Sequence, residues 1–136
     1  MKIIFRVTIV ALLAVVLTGC FGRLQPVYNV NDMAVPVALQ DAPTSKIDSI
    51  IKVAVTGRGW RVEDVSPGVI KATLRQRTHE AIVNIKYSNK AYSIDYVSSQ
   101  DLLYDGSQIH RNYNRWVKTL EQDINKEMYR ASLNAS

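Results

Sequence analysis

The hydrophobic residues that follow residue 45 first recur with the spacing of a helix. They are Ile47, Ile50, Ile51, Ala54 and Val55. This spacing predicts one apolar stripe along a helix. Ser45 and Asp48 have the separation of a capping box, which predicts that the helix begins there. Gly57 is a natural terminator, because glycine readily takes the left-handed conformation that follows a last helical turn.

Four segments then alternate between apolar and polar residues with the period of a strand, at 60–65, 70–75, 81–87 and 92–96. Turn residues separate the first two segments at Ser66-Pro67-Gly68 and the last two at Ser88-Asn89-Lys90. Because one side of each segment is polar, the pattern predicts an antiparallel meander that is covered on a single face.

A second helical pattern closes the chain and again has one apolar face. Its apolar positions are Tyr113, Trp116, Val117, Leu120, Ile124 and Met128. The arrangement that buries every apolar stripe is an α+β two-layer sandwich. We expect a four-stranded antiparallel meander with an N-terminal and a C-terminal helix on one face, in the order α-β-β-β-β-α. Residues 45–136 would form this single domain.

Residues 20–44 show neither the helical nor the strand period. Pro26, Pro36 and Pro43 interrupt this stretch. Its composition predicts a flexible tether in front of the domain. The alternative is an extended edge around Pro36 that lies along the domain.

The first 19 residues have the features of an export signal. Lys2 and Arg6 form a basic start, and an apolar run follows over residues 7–17. This run is shorter than the ~20 residues that a membrane-spanning helix needs. It ends in Leu17-Thr18-Gly19-Cys20, which has the form of a bacterial lipobox. We therefore expect residues 1–19 to be removed and Cys20 to become the lipidated first residue of the mature protein.

A lipidated Cys20 predicts stable attachment to a membrane, because two or more acyl chains hold a protein where one chain is marginal. The residue after the cysteine is Phe21 and not aspartate. In a Gram-negative source this favours the outer membrane, with the domain facing the periplasm.

The net charge is modest once the signal is removed. Without Lys2 and Arg6, the 17 basic residues become 15 against 12 acidic residues, which is a formal charge of +3. Such a surplus permits weak attraction to anionic headgroups or polyanions. It is too small and too dispersed to predict a nucleic-acid-binding protein.

Several motifs of the mature chain resemble those of a family of small, functionally uncharacterised lipoproteins of Gram-negative bacteria. The most specific motif spans residues 109–116 and has the form Ile-His-x-x-Tyr-Asn-x-Trp, and Arg58-Gly59-Trp60 is another. The resemblance covers nearly the whole mature chain. It implies an envelope location and a single domain, but it implies no catalytic residue and no ligand.

Candidate chemistry is sparse along the chain. His79 and His110 are the only histidines, and their separation matches no local metal-binding motif. If folding brings them together, Asp101 or Asp105 would complete a metal site, and a small hydrolase or metal protein is therefore our third hypothesis. The sequence has no Gly-x-Ser-x-Gly elbow and no Walker-type phosphate loop. We expect neither catalysis nor a cofactor.

Binding of a partner is the leading functional hypothesis. Tyr104 lies in the loop before the last helix, where an aromatic residue is a reasonable contact point. The polar side of the strands is mildly basic, with Lys71, Arg75, Arg77 and Lys86. The first hypothesis is a non-catalytic domain that binds an envelope protein through Tyr104, Arg75 and Arg77. The alternative is a module that binds a ligand or polyanion, such as lipopolysaccharide or peptidoglycan, on the basic side.

Overall fold

The structure is a computed structural model that describes residues 21–135. The expected signal peptide at 1–19 and Cys20 lie outside these residues. The two helices are α1 (Thr44–Gly57) and α2 (Arg111–Asn134). The strands are β1 (Leu24–Pro26), β2 (Val30–Ala34), β3 (Arg61–Ser66), β4 (Val69–Gln76), β5 (His79–Tyr87), β6 (Ala91–Gln100) and β7 (Gln108–His110). Short 3₁₀ turns occur at Phe21–Arg23 and Val37–Leu39.

The fold is α+β, as the patterns predict, but the sheet is larger than expected. Strands β3 to β6 form the predicted antiparallel meander. The expectation of four strands is wrong, because β2 pairs with β6 and extends the sheet to five strands in the order β2-β6-β5-β4-β3. A separate two-stranded sheet joins β1 to β7. Within residues 21–135, no helix is long and apolar enough to cross a membrane.

The stretch expected to be a tether belongs to the fold from Leu24 onward. Val30, Val35 and Leu39 are each at most 3% exposed. The backbone amide of Val35 donates to the carbonyl of Lys90 at 2.9 Å. Each short piece of this segment buries only one or two side chains and pairs through its backbone, so no apolar period marks it. The alternative of an extended edge describes this segment better.

Helix α1 begins without the predicted capping box. Pro43 is the N-cap residue, and no side chain caps the helix. The Asp48 carboxylate is engaged elsewhere, because it accepts a hydrogen bond from the Tyr87 hydroxyl at 2.7 Å and lies 2.9 Å from the Lys52 ammonium. The helix ends at Gly57, but the left-handed residue is Gly59, with φ of 94°.

Both helices and one side of the strands contribute to a single hydrophobic core. Alternate residues of β4 and β5 are buried, in agreement with their predicted period. The fully buried side chains from the sheet and the helices include Ile70, Ala72, Ala81, Val83, Ile85, Ile94, Ile47, Ile51, Tyr113, Val117, Leu120 and Ile124. The periodicity therefore identified the apolar side of each of these elements correctly.

Candidate functional site

The loop that joins β6 to β7, residues 101–107, carries the contact residue expected from the sequence. We call it the Tyr104 loop. Tyr104 is 43% exposed, and the preceding Leu103 is 56% exposed. Leu102, in contrast, is 1% exposed and belongs to the core. The loop is thus fastened by one leucine and presents the next two side chains to solvent.

Hydrogen bonds hold this loop in one conformation. The amide of His110 donates to the carbonyl of Leu102 at 2.8 Å. The Asp105 carboxylate accepts from the amides of Gln108 at 2.7 Å and Ser107 at 3.0 Å. These bonds stabilise the ionised carboxylate and hold the pKa of Asp105 below its ordinary value. Asp105 is therefore a structural part of the turn.

The backbone of the loop lies three times in the left-handed region. The φ angles are 56° at Asp101, 58° at Leu103 and 104° at Gly106. Glycine accepts this conformation readily, whereas a branched side chain such as leucine rarely does. Strained residues of this kind cluster at functional sites, where the surrounding structure maintains them.

Tyr104 rests against aromatic residues that lead into the core. Its ring centroid lies 4.4 Å from that of Tyr96, and the Tyr96 ring meets Tyr113 edge to face at 5.4 Å. Tyr113 is fully buried. One edge of Tyr104 is therefore supported by packing, which orients the exposed remainder of its ring and reduces the entropy lost on binding.

The structure places Arg77 beside this loop and Arg75 in an ion pair. Arg77 occupies the turn between β4 and β5, with φ of 57°. The next residue, Thr78, donates from its hydroxyl to the Asp101 carboxylate at 2.5 Å, which joins this turn to the loop. The guanidinium of Arg75 lies 4.0 Å from the carboxylate of Glu80.

The polar side of the sheet is less basic than the sequence suggests. Lys71 lies 3.8 Å from the Glu63 carboxylate, and Lys86 lies 3.7 Å from that of Asp95. These pairs join neighbouring strands, and their partners stand opposite or nearly opposite in register. Because carboxylates offset three of the four expected cations, counting Arg75 with Glu80, this side offers little excess charge to a polyanion.

Both histidines bond to the start of the Tyr104 loop, His79 at Asp101 and His110 at Leu102, but each has a local role. His79 Nδ1 lies 2.7 Å from the carbonyl oxygen of Asp101. His110 is the N-cap of α2, and its Nδ1 accepts from the amide of Asn112 at 3.1 Å. Burial, the charge of Arg111 and the proximity of His79 lower the pKa of His110. Among residues 21–135, no three His, Cys, Asp or Glu side chains are grouped to hold a metal ion.

A second feature was not anticipated from the sequence. An open cavity of about 410 Å³ lies along the first turns of α2 and is lined by Arg111, Arg115 and Lys118. Its other lining side chains are uncharged Gln, Asn and Thr residues. We call this cavity the basic groove. The spacing of its cations, four and then three residues apart, places them on one helix face and could have indicated it.

Comparison of the chain with protein-family models, with curated proteins and with solved structures finds no match.

Proposed function

We propose that this protein is a lipid-anchored envelope lipoprotein, without catalytic activity, whose domain binds another envelope protein through the Tyr104 loop. The lipid would be carried by Cys20, and the domain would face the periplasm from the outer membrane. In this proposal the two helices cover one face of the sheet. The membrane and one protein partner are its only required associates.

One observation carries the proposal: Leu103 and Tyr104 are exposed on a loop whose backbone is held under strain. Folding does not require these side chains outside the core, and a glycine at position 103 would relax the backbone. Exposed apolar and aromatic side chains on a fixed loop are typical of protein contacts. Rigid aromatic anchors supply most of the binding energy in many interfaces.

The neighbouring charges extend this surface. The turn that contains Arg77 is bonded to the loop through Thr78 and Asp101. Arg77 has no carboxylate partner among the ion pairs of the described residues. We propose Arg77 as a peripheral contact and Arg75, whose charge is shared with Glu80, as a weaker one. Peripheral charges mainly affect the rate of association.

The test compares two exposed tyrosines in the full-length lipidated protein. Tagged wild type, Tyr104→Ala and Tyr129→Ala are cross-linked gently in membranes, captured, and their partners quantified by mass spectrometry. Tyr129 is 62% exposed on α2 and serves as the matched control. We expect Tyr104→Ala to reduce recovery of a defined protein at least tenfold, which corresponds to about 1.4 kcal/mol. Tyr129→Ala should leave recovery unchanged.

Two further results would contradict the proposal. Equal recovery of every protein with wild type and Tyr104→Ala would exclude the loop as the contact. The lipid anchor would be excluded if the wild type did not fractionate with membranes and Cys20→Ala captured the partner equally well. If the proposal is correct, titration of the purified partner should give wild type and Tyr129→Ala similar affinities and Tyr104→Ala a lower one.

A further inference from the structure

The three cations of the basic groove share one helix face and have no acidic partner among the described residues. Arg111, Arg115 and Lys118 are all exposed. None of them belongs to an ion pair among the described residues, and neither does Arg23. Arg115 is nevertheless held by a neutral group. Arg115 donates to the Asn112 side-chain oxygen at 3.0 Å.

The nearest carboxylate along α2 is already engaged. Glu121 accepts a hydrogen bond from the Tyr28 hydroxyl at 2.6 Å. The Lys118 ammonium lies over the face of the same tyrosine, 5.1 Å from the ring centroid. Tyr28 thus contacts both side chains, and Lys118 and Glu121 form no ion pair with each other. The charge of the groove is therefore available to an external anion.

The groove lies where the chain enters the fold. Arg23 follows Cys20 by three residues, a distance of about 10 Å at full extension. Strand β1 comes next and pairs Leu24 with His110, the residue before α2. Gln25 of β1 lines the groove, and its side-chain oxygen accepts a hydrogen bond from the Asn114 amide group at 3.1 Å. An anchor at Cys20 would hold this part of the molecule close to the bilayer.

We propose that the basic groove docks on the membrane surface by binding the phosphates of anionic phospholipid headgroups. This inference depends on the lipid anchor of the proposed function. Arginine is suited to phosphate because its planar donors form paired hydrogen bonds. Each Lys or Arg held near an anionic membrane strengthens attachment roughly fivefold. Docking would fix the orientation of the domain and direct its other surfaces toward the partner.

The test measures the distance of the groove from the bilayer in the full-length lipidated protein. Gln122 is exposed at the edge of the groove, and Gln122→Cys provides a thiol for a fluorophore once Cys20 is lipidated. Ala38→Cys gives a control label next to the β5–β6 turn, at the opposite end of the strands from β7. The vesicles are phosphatidylcholine with or without phosphatidylglycerol, and a headgroup nitroxide quenches fluorophores near the surface.

We expect phosphatidylglycerol to increase quenching of the Gln122 label severalfold more than that of the Ala38 label. High salt should reverse the increase, because the screening length falls from about 10 Å at 0.1 M to about 3 Å at 1 M. Replacement of Arg111, Arg115 and Lys118 by Gln should abolish it. Replacement of Lys46, Arg61 and Lys90 by Gln removes the same charge elsewhere on the surface and should preserve it. Circular dichroism verifies that both triple variants fold.

Each contrary outcome identifies what has failed. If the protein floats with vesicles of both compositions but its Gln122 label responds to neither, the anchor stands and the docking surface is wrong. If both triple variants lost the phosphatidylglycerol-dependent quenching equally, the effect would be one of net charge, and the basic groove would not be the docking surface. If the wild type showed no phosphatidylglycerol-dependent quenching and the groove variant no longer captured the protein partner, the groove would bind that partner and not the membrane. A protein that does not float at all would overturn both the anchor and the docking.

Discussion

At residue position 103, a leucine stands where glycine would be more comfortable. Its φ of 58° costs a residue with a Cβ atom roughly 1–2 kcal/mol. The buried Leu102 on one side and the hydrogen-bonded Asp105 turn on the other constrain the backbone conformation of this residue. The strain is therefore a consequence of presenting Leu103 and Tyr104 outward.

Replacement of this leucine separates stability from binding. We expect Leu103→Gly to be more stable than Leu103→Ala by roughly 0.5–1 kcal/mol, because relief of strain exceeds the added chain entropy of glycine. Both variants should bind the partner more weakly, since both lack the exposed side chain. Denaturant unfolding gives the stability difference. An alanine variant that is as stable as the glycine variant would show that the backbone is not strained.

His110 links the start of α2 to pH. As the N-cap it accepts a hydrogen bond through Nδ1, which requires the neutral ring. Burial and neighbouring positive charges hold its pKa below the ordinary value of 6.5 in the folded protein. The unfolded chain therefore takes up the proton first on acidification. Stability from this residue is complete above pH 6.5 and is lost as the pH falls toward the lower folded pKa.

Replacement of the titrating cap should flatten this pH dependence. Asparagine is a good N-cap and does not titrate. We expect His110→Asn to reduce the slope of unfolding free energy against pH between about pH 7 and pH 5, compared with wild type. His79→Asn is the comparison: His79 caps no helix and is only a secondary cause of the lowered pKa of His110, so this variant should change the slope less than His110→Asn does. An unchanged slope in His110→Asn would show that the cap does not depend on protonation.

At the scale of elements, residues 24–39 lie across the domain, and we call this segment the strap. β1 pairs with β7, β2 pairs with β6, and the 3₁₀ turn at Val37–Leu39 inserts Leu39 into the core. Asn114 of α2 fastens the strap by accepting from the Tyr28 amide and donating to the Pro26 carbonyl, each at 2.9 Å. The elements of the strap are short, so tertiary contacts stabilise them more than their own local structure does.

The strap predicts a large effect at a position where a tether would show none. We expect Leu39→Ala to destabilise the protein by about 2–5 kcal/mol, as for other buried leucines. Val37→Ala, two residues away and 82% exposed, should change stability by less than about 0.5 kcal/mol. Urea unfolding followed by tryptophan fluorescence measures both. Similar stability of the two variants would show that this segment is a tether and does not stabilise the domain.

At the scale of the whole molecule, the surfaces of functional interest gather at one end. Pairing of β1 with β7 joins the start of the described chain and the basic groove to the Tyr104 loop, and hydrogen bonds from Thr78 and His79 to Asp101 join the turn with Arg77 to the same loop. The polar side of the sheet is instead balanced by cross-strand ion pairs. An anchored domain with this arrangement would meet both membrane and partner near the bilayer.

Sequence patterns alone were sufficient for the two helices, the four-stranded meander and the apolar side of each. A period of 2 or 3.6 residues states which side of an element is apolar, and that property is local. The sequence also predicted a loop with an aromatic residue at Tyr104, because turn residues and a tyrosine stand together before a helix. The expectation for Cys20 likewise depends on a local motif and remains a prediction from sequence.

Only the tertiary structure decided the strap, the pairing of surface charges and the basic groove. Strand β2 joins the sheet through backbone hydrogen bonds, and these groups are the same in every residue except proline. Lys71 and Lys86 are offset by carboxylates because strand register places Glu63 and Asp95 nearby. His79 and His110 both bond to residues 101 and 102, but no three His, Cys, Asp or Glu side chains group to hold a metal ion within the described part of the chain. Distances between remote segments set these features, and a local pattern contains no such distances.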